Sequence, residues 1–286
     1  MQIETTSTAF NPFLKWPGGK RWFVNYHSDL FPNTYSRYIE PFLGGGAIFF
    51  HLRPSTALIG DINPDIIAAY EGLKCNWQFI KRSLNYHKRL HSDDYYYKVR
   101  NDEPKDQLQR ASRMIYLNRT CFNGIYRVNL SGKFNVPRGS KNNVVLDTDD
   151  FEGVSKILQN ATILLADFEK LIDEAKENDL IFADPPYTVR HNLNGFVRYN
   201  ETLFSWQDQE RLAKALIRAQ KRGVKIISTN ANHSSIRELY EEKGFCLKTV
   251  TRFSSISATS ISRRQFEELV ILSNINILNN GNTNTE

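Results

Sequence analysis

The chain has 286 residues, of which 41% are hydrophobic, and a formal net charge of +6. This length accommodates one large α/β domain with an insertion, or two domains. No run approaches roughly 18 apolar residues, and no charged N-terminal region precedes an apolar block, so we expect neither a membrane span nor a signal peptide. The three widely separated cysteines are typical of a reducing compartment, and we predict a cytoplasmic protein.

The cysteines also exclude two kinds of chemistry. They form no C-x-x-C pair and no histidine lies at zinc-ligand spacing, so we predict no metal site and no zinc deaminase. No cysteine follows a proline, so the chain lacks the Pro-Cys nucleophile of cytosine-ring methylation.

Positive charge is concentrated in one segment. Residues 70–145 contain 15 Lys and Arg against 6 Asp and Glu, a net charge of +9, whereas the rest of the chain has 22 basic and 25 acidic residues. A solvated charged face is the ordinary explanation for basic residues. The contrast between segments nevertheless favours a polyanion as partner.

The first motif is a Pro-Gly-Gly-Lys run that ends at Lys20. A P-loop would need a glycine in place of Leu14 and a serine or threonine in place of Arg21, so that interpretation fails. The glycine turn instead presents Lys15, Trp16 and Lys20, which suit an anion and a flat ring.

A predicted strand at 38–42, a glycine turn at 43–46 and a helix from 47 follow, an order that opens nucleotide-binding βα units. Glycines let the backbone approach a ligand, and a helix N-terminus adds partial positive charge. A second apolar strand ends in Asp61, 17 residues after Gly44, close to the spacing at which an acid meets ribose hydroxyls. The pattern indicates an adenosine ligand without requiring a diphosphate.

The next part of the chain is mainly helical. Asn63-Pro64-Asp65 predicts a helix start, and a helical pattern with interleaved tyrosines and basic residues continues to about residue 119. We predict a small helical insert in the sheet domain. The segment 118–139 alternates on both sides of a Ser-Gly turn, which indicates a β-hairpin or an ordered loop. Its residue types read base edges and wedge between bases, although a hairpin that only packs on the insert is the alternative.

Two further predicted strands end in a carboxylate. The strand at 161–166 precedes Asp167-Phe168, a pair suited to the amino group and face of an adenine. The apolar run at 180–183 precedes Asp184-Pro185-Pro186-Tyr187. Its prolines hold the backbone extended, and ligands bind at the carboxyl ends of strands in open α/β sheets. A turn that merely ends a core strand is the alternative.

The remaining residues predict the end of the sheet domain. We expect a polar loop at 190–205 that closes over the site, a helix ended by Gly223, a strand at 225–229, a helix at 234–243 and a closing β pair at 247–253 and 267–273. Arg263 and Arg264 lie in the loop of that pair, and the Asn-rich tail from residue 274 is predicted to be disordered.

These pieces predict a chemistry. The glycine turn, Asp61 and Asp167-Phe168 suit S-adenosylmethionine, and the Asp-Pro-Pro-Tyr segment suits an exocyclic amine. The lone pair of adenine N6 is delocalised into the ring and weakly nucleophilic. If the Asp184 carboxylate and the Pro185 carbonyl each accept one N–H, the lone pair can turn toward a sulfonium methyl group while Tyr187 stacks on the base. A duplex hides this nitrogen, so the base must be flipped out.

The chain resembles the Dam family of DNA adenine N6-methyltransferases. The likeness covers roughly residues 10–273 and rests on five blocks in order: FLKWPGGK, PFLGGGAIFF, NRTCFNGIYRVN, GKFNVPRG and DPPY. It implies an α/β fold with a Rossmann-like, seven-strand methyltransferase sheet. Residues 10–65 and 146–273 would form a discontinuous catalytic domain, and 66–145 a mainly helical target-recognition domain ending in a β-hairpin, followed by a disordered tail at 274–286.

The resemblance also implies roles for individual residues. The residues expected at S-adenosylmethionine are Trp16, Lys20, Phe42, Gly44, Asp61, Asp167, Phe168 and Asp184. The residues expected to act in catalysis are Asp184, Pro185 and Tyr187. On the DNA, Arg127 would read a guanine, Phe122 would wedge into the space left by the flipped base, and Lys15 would touch an outer base pair. Arg119, Asn123, Ile125 and Pro137 complete the predicted DNA surface.

By the same resemblance, the partner is double-stranded DNA and the protein is a prokaryotic or phage-encoded monomer, for which a cognate restriction endonuclease is conceivable. Two departures bear on the target site. Ser140-Lys141 stands where GATC-methylating relatives often have a basic residue and an aromatic, and residues 229–232 read Thr-Asn-Ala-Asn instead of Ser-Asn-His. GATC is therefore a candidate target only.

Other functions compete with adenine methylation of DNA. Methylation of cytosine N4 or of RNA shares the chemistry, although Ser-Pro-Pro is more usual for cytosine N4. A sequence-specific DNA-binding protein that has lost catalysis is a third interpretation, and the intact Asp184 and Tyr187 count against it.

Overall fold

The computed structural model describes residues 10–129, 131–189, 204–253 and 265–275. The helices are α1 (Arg21–His27), α2 (Ala47–Leu52), α3 (Pro64–Leu90), α4 (Asp93–Asn101), α5 (Gln107–Thr120), α6 (Phe151–Leu158), α7 (Phe168–Asp173), α8 (Trp206–Lys221) and α9 (Ser234–Tyr240). The strands are β1 (Tyr38–Glu40), β2 (Ala57–Asp61), β3 (Ala161–Leu165), β4 (Leu180–Ala183), β5 (Lys225–Ala231), β6 (Cys246–Phe253) and β7 (Gln265–Ser273). Within these described ranges, no helix has the length and apolar character needed to cross a membrane.

The chain forms two compact units, and the first contains the described residues of 1–24 and Glu40–Phe168. Here β2 and β3 pair in parallel, from Ala57 opposite Ala161 to Asp61 opposite Leu165. Parallel neighbours end at the same edge of a sheet. Asp61 and the residues that follow β3 therefore lie at one edge of this unit, as the sequence predicts.

Helix α3 begins where the sequence predicts. The Asn63 side chain accepts hydrogen bonds from the backbone N–H groups of Asp65 and Ile66, with Pro64 in the first turn of α3. Asn76, with φ of −153° and ψ of 69°, interrupts this helix. The helical pattern predicted for 63–119 is present as α3, α4 and α5, which places the basic and aromatic residues of this region on helices.

The second unit contains 25–39 and the described residues of 169–286. Tyr38 and Ile39 of β1 pair in parallel with β4, and β4 pairs in parallel with β5. Strand β7 runs antiparallel between β5 and β6, so the strand order in this unit is β1-β4-β5-β7-β6. All four residues of β4 are buried, as expected for a continuous apolar run in a parallel part of a sheet.

The predicted fold class is confirmed as mixed α/β with a seven-stranded sheet. The segment 118–139 forms the ordered loop that its alternation also allowed. It contains the 3-10 turn Phe122–Gly124 and two isolated bridges, Cys121 with Arg138 and Val128 with Phe134, instead of a regular hairpin ladder.

The predicted domain boundaries remain a prediction. Residues 66–145 belong entirely to the first unit, together with β2, β3 and the glycine turn. Three predictions fall largely outside the described residues: the closing loop at 190–205, the arginine pair at 263–264 and the disordered tail from 274.

Candidate functional site

The glycine turn of the first unit packs against Trp16. Gly44 has φ of +46°, and a Cβ at this position would lie 2.7 Å from Trp16 Cδ1. Gly46, with φ of +65°, precedes α2 as its N-cap. The turn is tied to the sheet because Leu43 N–H donates to Gly60 O at 3.0 Å. A side chain at Gly44 would both strain the backbone and displace the indole.

Asp61 is held at the end of β2 by two backbone donors. Its Oδ2 accepts from Gly44 N at 3.0 Å and its Oδ1 from Asn63 N at 2.9 Å. Burial raises the pKa of the Asp61 carboxyl to about 6, and the backbone hydrogen bonds act in the opposite direction. A carboxylate has about four acceptor positions, so Asp61 can accept from hydroxyl groups of a ligand as well as from these backbone donors.

An aromatic pair lies in the same unit. The rings of Phe42 and Phe168 stack with centroids 5.2 Å apart and an interplanar angle of 23°. Ala166 N–H donates to Asp61 O at 3.2 Å, which ties the residues after β3 to the end of β2. The half-buried Asp167 follows Ala166 directly. The structure thus holds Phe42, Asp61, Asp167 and Phe168 in one unit, around two adjacent strand ends.

Trp16 and Lys20 belong to a second turn of the first unit. Gly19 N–H donates to Trp16 O at 3.1 Å, and Lys20 Nζ donates to Gly18 O at 3.1 Å. Lys20 is buried with 4% of its surface exposed. The Trp16 ring lies 5.6 Å from the ring of Tyr126 and is tilted by 30°. This turn therefore fixes a buried ammonium group and an indole next to the glycine turn.

The Asp-Pro-Pro-Tyr segment follows β4 in the second unit. Thr229 Oγ1 donates to Asp184 Oδ1 at 2.6 Å, and Tyr187 OH donates to Glu268 Oε2 at 2.7 Å. Burial, followed by the negative charges of Asp184 and Glu268, raises the pKa of the Tyr187 hydroxyl well above its usual range. Tyr187 therefore stays protonated as a donor, and its ring orientation is fixed through Glu268.

The predicted recognition residues lie on the segment after α5. Phe122 is 52% exposed, Asn123 has φ of 55°, and Phe122 N–H donates to Pro137 O at 2.9 Å. The exposed Arg127 donates from Nε to Asn135 Oδ1 at 2.9 Å. Lys15 is attached to the same segment. Its backbone N–H and C=O both bond the Asn118 side chain, each at 2.8 Å.

Arg119 differs from the other predicted DNA residues because it is buried, with 8% of its surface exposed. Its guanidinium donates to both carboxylate oxygens of Asp149, at 2.6 and 2.7 Å, and to the carbonyls of Val144 at 2.9 Å and Phe13 at 3.1 Å. This geometry indicates that Arg119 holds the end of α5 in place. It counts against the predicted contact between Arg119 and DNA.

Several residues at these sites have no sequence signal of their own. Thr229 and Glu268 lie 45 and 81 residues after their partners, and strand pairing in the second unit brings them there. Ile62, which is 69% exposed directly after Asp61, is an apolar side chain presented at the end of β2. Its position directly after a strand-end acid could have identified Ile62 as a residue of the site from the sequence. Tyr126 and Asp65, bonded at 2.7 Å, are apparent from the tertiary structure alone.

The first unit thus has acids at two adjacent parallel strand ends, and the second has the Asp-Pro-Pro-Tyr segment directly after β4. In open α/β sheets, ligands bind at the carboxyl ends of strands. Residues 16–256 match the family described as D12 class N6 adenine-specific DNA methyltransferase. The chain belongs to this family.

Relatives of known name agree with the assignment. The Type II methyltransferase M1.LlaDCHI of Lactococcus lactis subsp. cremoris is 35% identical, over 94% of this chain and 97% of its own length. The Type II methyltransferase M.MjaIII of Methanocaldococcus jannaschii is also 35% identical, over 91% and 98%. The DNA adenine methylase of Haemophilus influenzae is 31% identical, over 91% and 93%. These findings confirm the predicted family and the predicted reaction, N6-methylation of adenine in DNA.

Proposed function

We propose that this protein transfers a methyl group from S-adenosylmethionine to N6 of an adenine flipped out of double-stranded DNA. The observation that supports this most directly is the fixed Asp184-Pro185-Pro186-Tyr187 segment, in which Thr229 orients the carboxylate and Glu268 orients the tyrosine. Membership of the N6 adenine-specific family favours adenine in DNA over the alternatives of cytosine N4 and RNA.

The residues of the first unit suit the adenosine part of this donor. Asp61 retains acceptor positions for ribose hydroxyls, and the Phe42–Phe168 pair with Asp167 suits an adenine ring and its amino group. Trp16, Lys20 and Gly44 complete the proposed binding surface. When bound, the donor supplies an electrophilic methyl group on a positively charged sulfur, and Asp184 is the carboxylate that we assign to that charge.

At the amine, the proposed roles are hydrogen-bond acceptance and positioning. Asp184 and the Pro185 carbonyl each accept one N–H, which turns the N6 lone pair away from the ring system and toward the methyl group. Tyr187 stacks on the base, and its hydroxyl bond to Glu268 keeps the ring in one orientation. The thymine that pairs with this adenine in the duplex takes no part in these contacts, since the flipped adenine is extrahelical.

The exposed residues of the first unit are the proposed DNA surface. Arg127 reads a guanine, Phe122 occupies the space left by the flipped base, and Asn123, Ile125 and Pro137 line the recognition surface. Lys15 contacts an outer base pair. GATC is a candidate target, and a cognate restriction endonuclease is a predicted partner that the Type II names of two relatives support.

The test is methyl transfer by the purified protein. Labelled S-adenosylmethionine and DNA containing all short sites should give labelled DNA, with the label on adenine N6. Asp184→Ala should abolish transfer while DNA binding persists. Asp29→Ala, an exposed carboxylate in the same unit, is the matched control and should retain activity. Absence of transfer by the unchanged protein would contradict the proposal.

The target is identified in the same system. Expression in a methylation-free host, followed by sequencing of methylated adenines, should show one short motif. Methylation confined to GATC would establish the candidate target, and any other motif would replace it.

A further inference from the structure

The turn between β2 and α3, which we call the Asp61–Asp65 turn, carries three polar side chains with different partners. Asp61 accepts from the backbone of Gly44 and of Asn63. The Asn63 side chain caps α3 by accepting from Asp65 N at 2.9 Å. Asp65 is the third, and its carboxylate points to the segment that follows α5, residues 121–139, which we call the recognition segment.

Asp65 holds two other elements with its two oxygens. Its Oδ1 accepts from Arg110 Nε on α5 at 2.6 Å, and its Oδ2 accepts from Tyr126 OH at 2.7 Å. Tyr126 immediately precedes Arg127, the residue proposed to read a guanine. The Tyr126 hydroxyl therefore joins the recognition segment to the first turn of α3.

The ring of Tyr126 makes a second connection. It lies 5.6 Å from Trp16 and 5.5 Å from Phe134, measured between ring centroids. Trp16 in turn packs against Gly44, where a Cβ would be 2.7 Å from the indole. Two routes therefore run from Tyr126 toward Asp61. One passes through Asp65 to the Asp61–Asp65 turn, and the other passes through Trp16 to Gly44 in the glycine turn; each of these turns supplies a backbone N–H that donates to Asp61.

The hydroxyl is suited to this role chemically. Burial, followed by the charge of Asp65, raises the pKa of Tyr126 above its usual range, so it remains a donor at physiological pH. A charge-assisted hydrogen bond is stronger and more directional than a neutral one. Replacement by phenylalanine would keep the ring on Trp16 and remove only the hydrogen bond to Asp65.

We propose that Tyr126 is a positioning residue that couples binding of the methyl donor to recognition of the target sequence. The inference rests on the proposed function, because it assigns Asp61 to the donor and Arg127 to the DNA. Ordering of the Asp61–Asp65 turn by the donor orders Tyr126 and its neighbour Arg127, and by linkage recognition of the target strengthens donor binding by the same factor.

The experiment measures that factor directly. The ligand is S-adenosylhomocysteine, which is the methyl donor without its methyl group. Calorimetry gives its dissociation constant without DNA and with a saturating duplex that contains the target motif identified by sequencing. We expect the duplex to strengthen binding by about tenfold in the unchanged protein. In Tyr126→Phe the ratio should fall to about two or less, with the affinity for either ligand alone changed by less than about threefold.

Tyr95→Phe is the matched control. This variant also removes a tyrosine hydroxyl from the first unit. That hydroxyl lies 2.9 Å from His87 Nδ1 and is not part of the link between Asp61 and Arg127. Its coupling ratio should equal that of the unchanged protein. Asp65→Asn is a second variant that weakens the same link from the other side, and it should also lower the ratio.

The outcomes separate the inference from the proposed function. If Tyr126→Phe, folded by its melting curve, keeps the full ratio, the inference is wrong. The inference is also wrong if the unchanged protein binds both ligands but its dissociation constant for S-adenosylhomocysteine is the same with and without the duplex. If the unchanged protein binds neither S-adenosylhomocysteine nor DNA, the proposed function itself fails.

Discussion

At the scale of single residues, the second unit fixes the carboxylate that we propose accepts from the amine. Asp184 lies at the end of a buried strand, and Thr229 on β5 donates to one of its oxygens. A hydroxyl donor on one oxygen restricts rotation of the carboxylate. The orientation that the proposed chemistry needs is therefore present before the base arrives.

Thr229→Val should slow methyl transfer by about tenfold or more, because it removes a hydrogen bond to a charged group without changing the volume of a fully buried side chain. The rate is measured in a single turnover with saturating DNA and methyl donor. Thr229→Ser keeps the hydroxyl and should retain most of the rate. Equal rates for the valine and serine variants would remove Thr229 from the mechanism.

Asp61 gives a prediction about pH. Its raised pKa of about 6 means that the folded protein holds a proton on this group more tightly than an unfolded chain does. Its contribution to stability is thus complete below the unfolded pKa and is lost as pH rises through about 6. Binding of ribose hydroxyls should change with pH in the opposite direction, because the ionised carboxylate, which forms as pH rises, is the better hydrogen-bond acceptor.

We therefore expect binding of S-adenosylhomocysteine to strengthen as pH rises from about 5 to about 7, measured by calorimetry. Asp61→Ala should bind more weakly and show no rise over this range. A flat profile in the unchanged protein would argue against Asp61 as the ribose acceptor.

At the scale of elements, the end of α5 is fixed by a buried ion pair. Arg119 and Asp149 have side chains that are 5% and 7% exposed, and the arginine also satisfies two carbonyls from 13 and 144. The recognition segment begins directly after α5. Its starting point is thus anchored through Arg119 to residues before β1 and before α6.

Arg119→Met should lower the free energy of unfolding by about 3 kcal/mol, because it leaves Asp149 buried without its charged partner. Thermal unfolding measures this as a fall of several degrees in Tm. Arg127→Met, at an exposed position of the same segment, should change stability by less than about 0.5 kcal/mol and weaken binding to the target duplex instead. The reverse pattern would restore Arg119 to the DNA surface.

At the scale of the whole molecule, charge is segregated along the sequence. The net +9 of residues 70–145 belongs to the first unit, which also carries the exposed Phe122 and Arg127. Charge of this kind attracts the phosphate backbone without reading sequence, so affinity and specificity should respond to different changes.

DNA affinity should fall steeply with salt, with a slope of log K against log salt steeper than about −3. The charge reversals Lys88→Glu and Lys98→Glu, both at exposed positions of 70–145, should make the slope shallower by about one unit each if those lysines contact phosphates. Lys214→Glu, an exposed lysine of the second unit, is the charge-matched control. Equal effects of all three would mean that net charge, and not the basic segment, governs binding.

Much of this protein was determined by local sequence. Apolar runs followed by Asp61, Asp167 and Asp184 predicted strand ends, since a carboxylate ends burial. Asn63 and Pro64 predicted the start of α3, because the cap and the fixed φ act within one turn. The order of the blocks predicted the family and the reaction.

The tertiary structure decided how these residues are held. Thr229 reaches Asp184, Glu268 reaches Tyr187 and Asp65 reaches Tyr126 across 45 to 81 residues of sequence. Sequence periodicity and local spacing relate residues that are a few positions apart, so they cannot predict contacts over such separations. It also decided that Arg119, a basic residue in a basic segment, is buried against Asp149, because burial depends on what surrounds a side chain and not on its type.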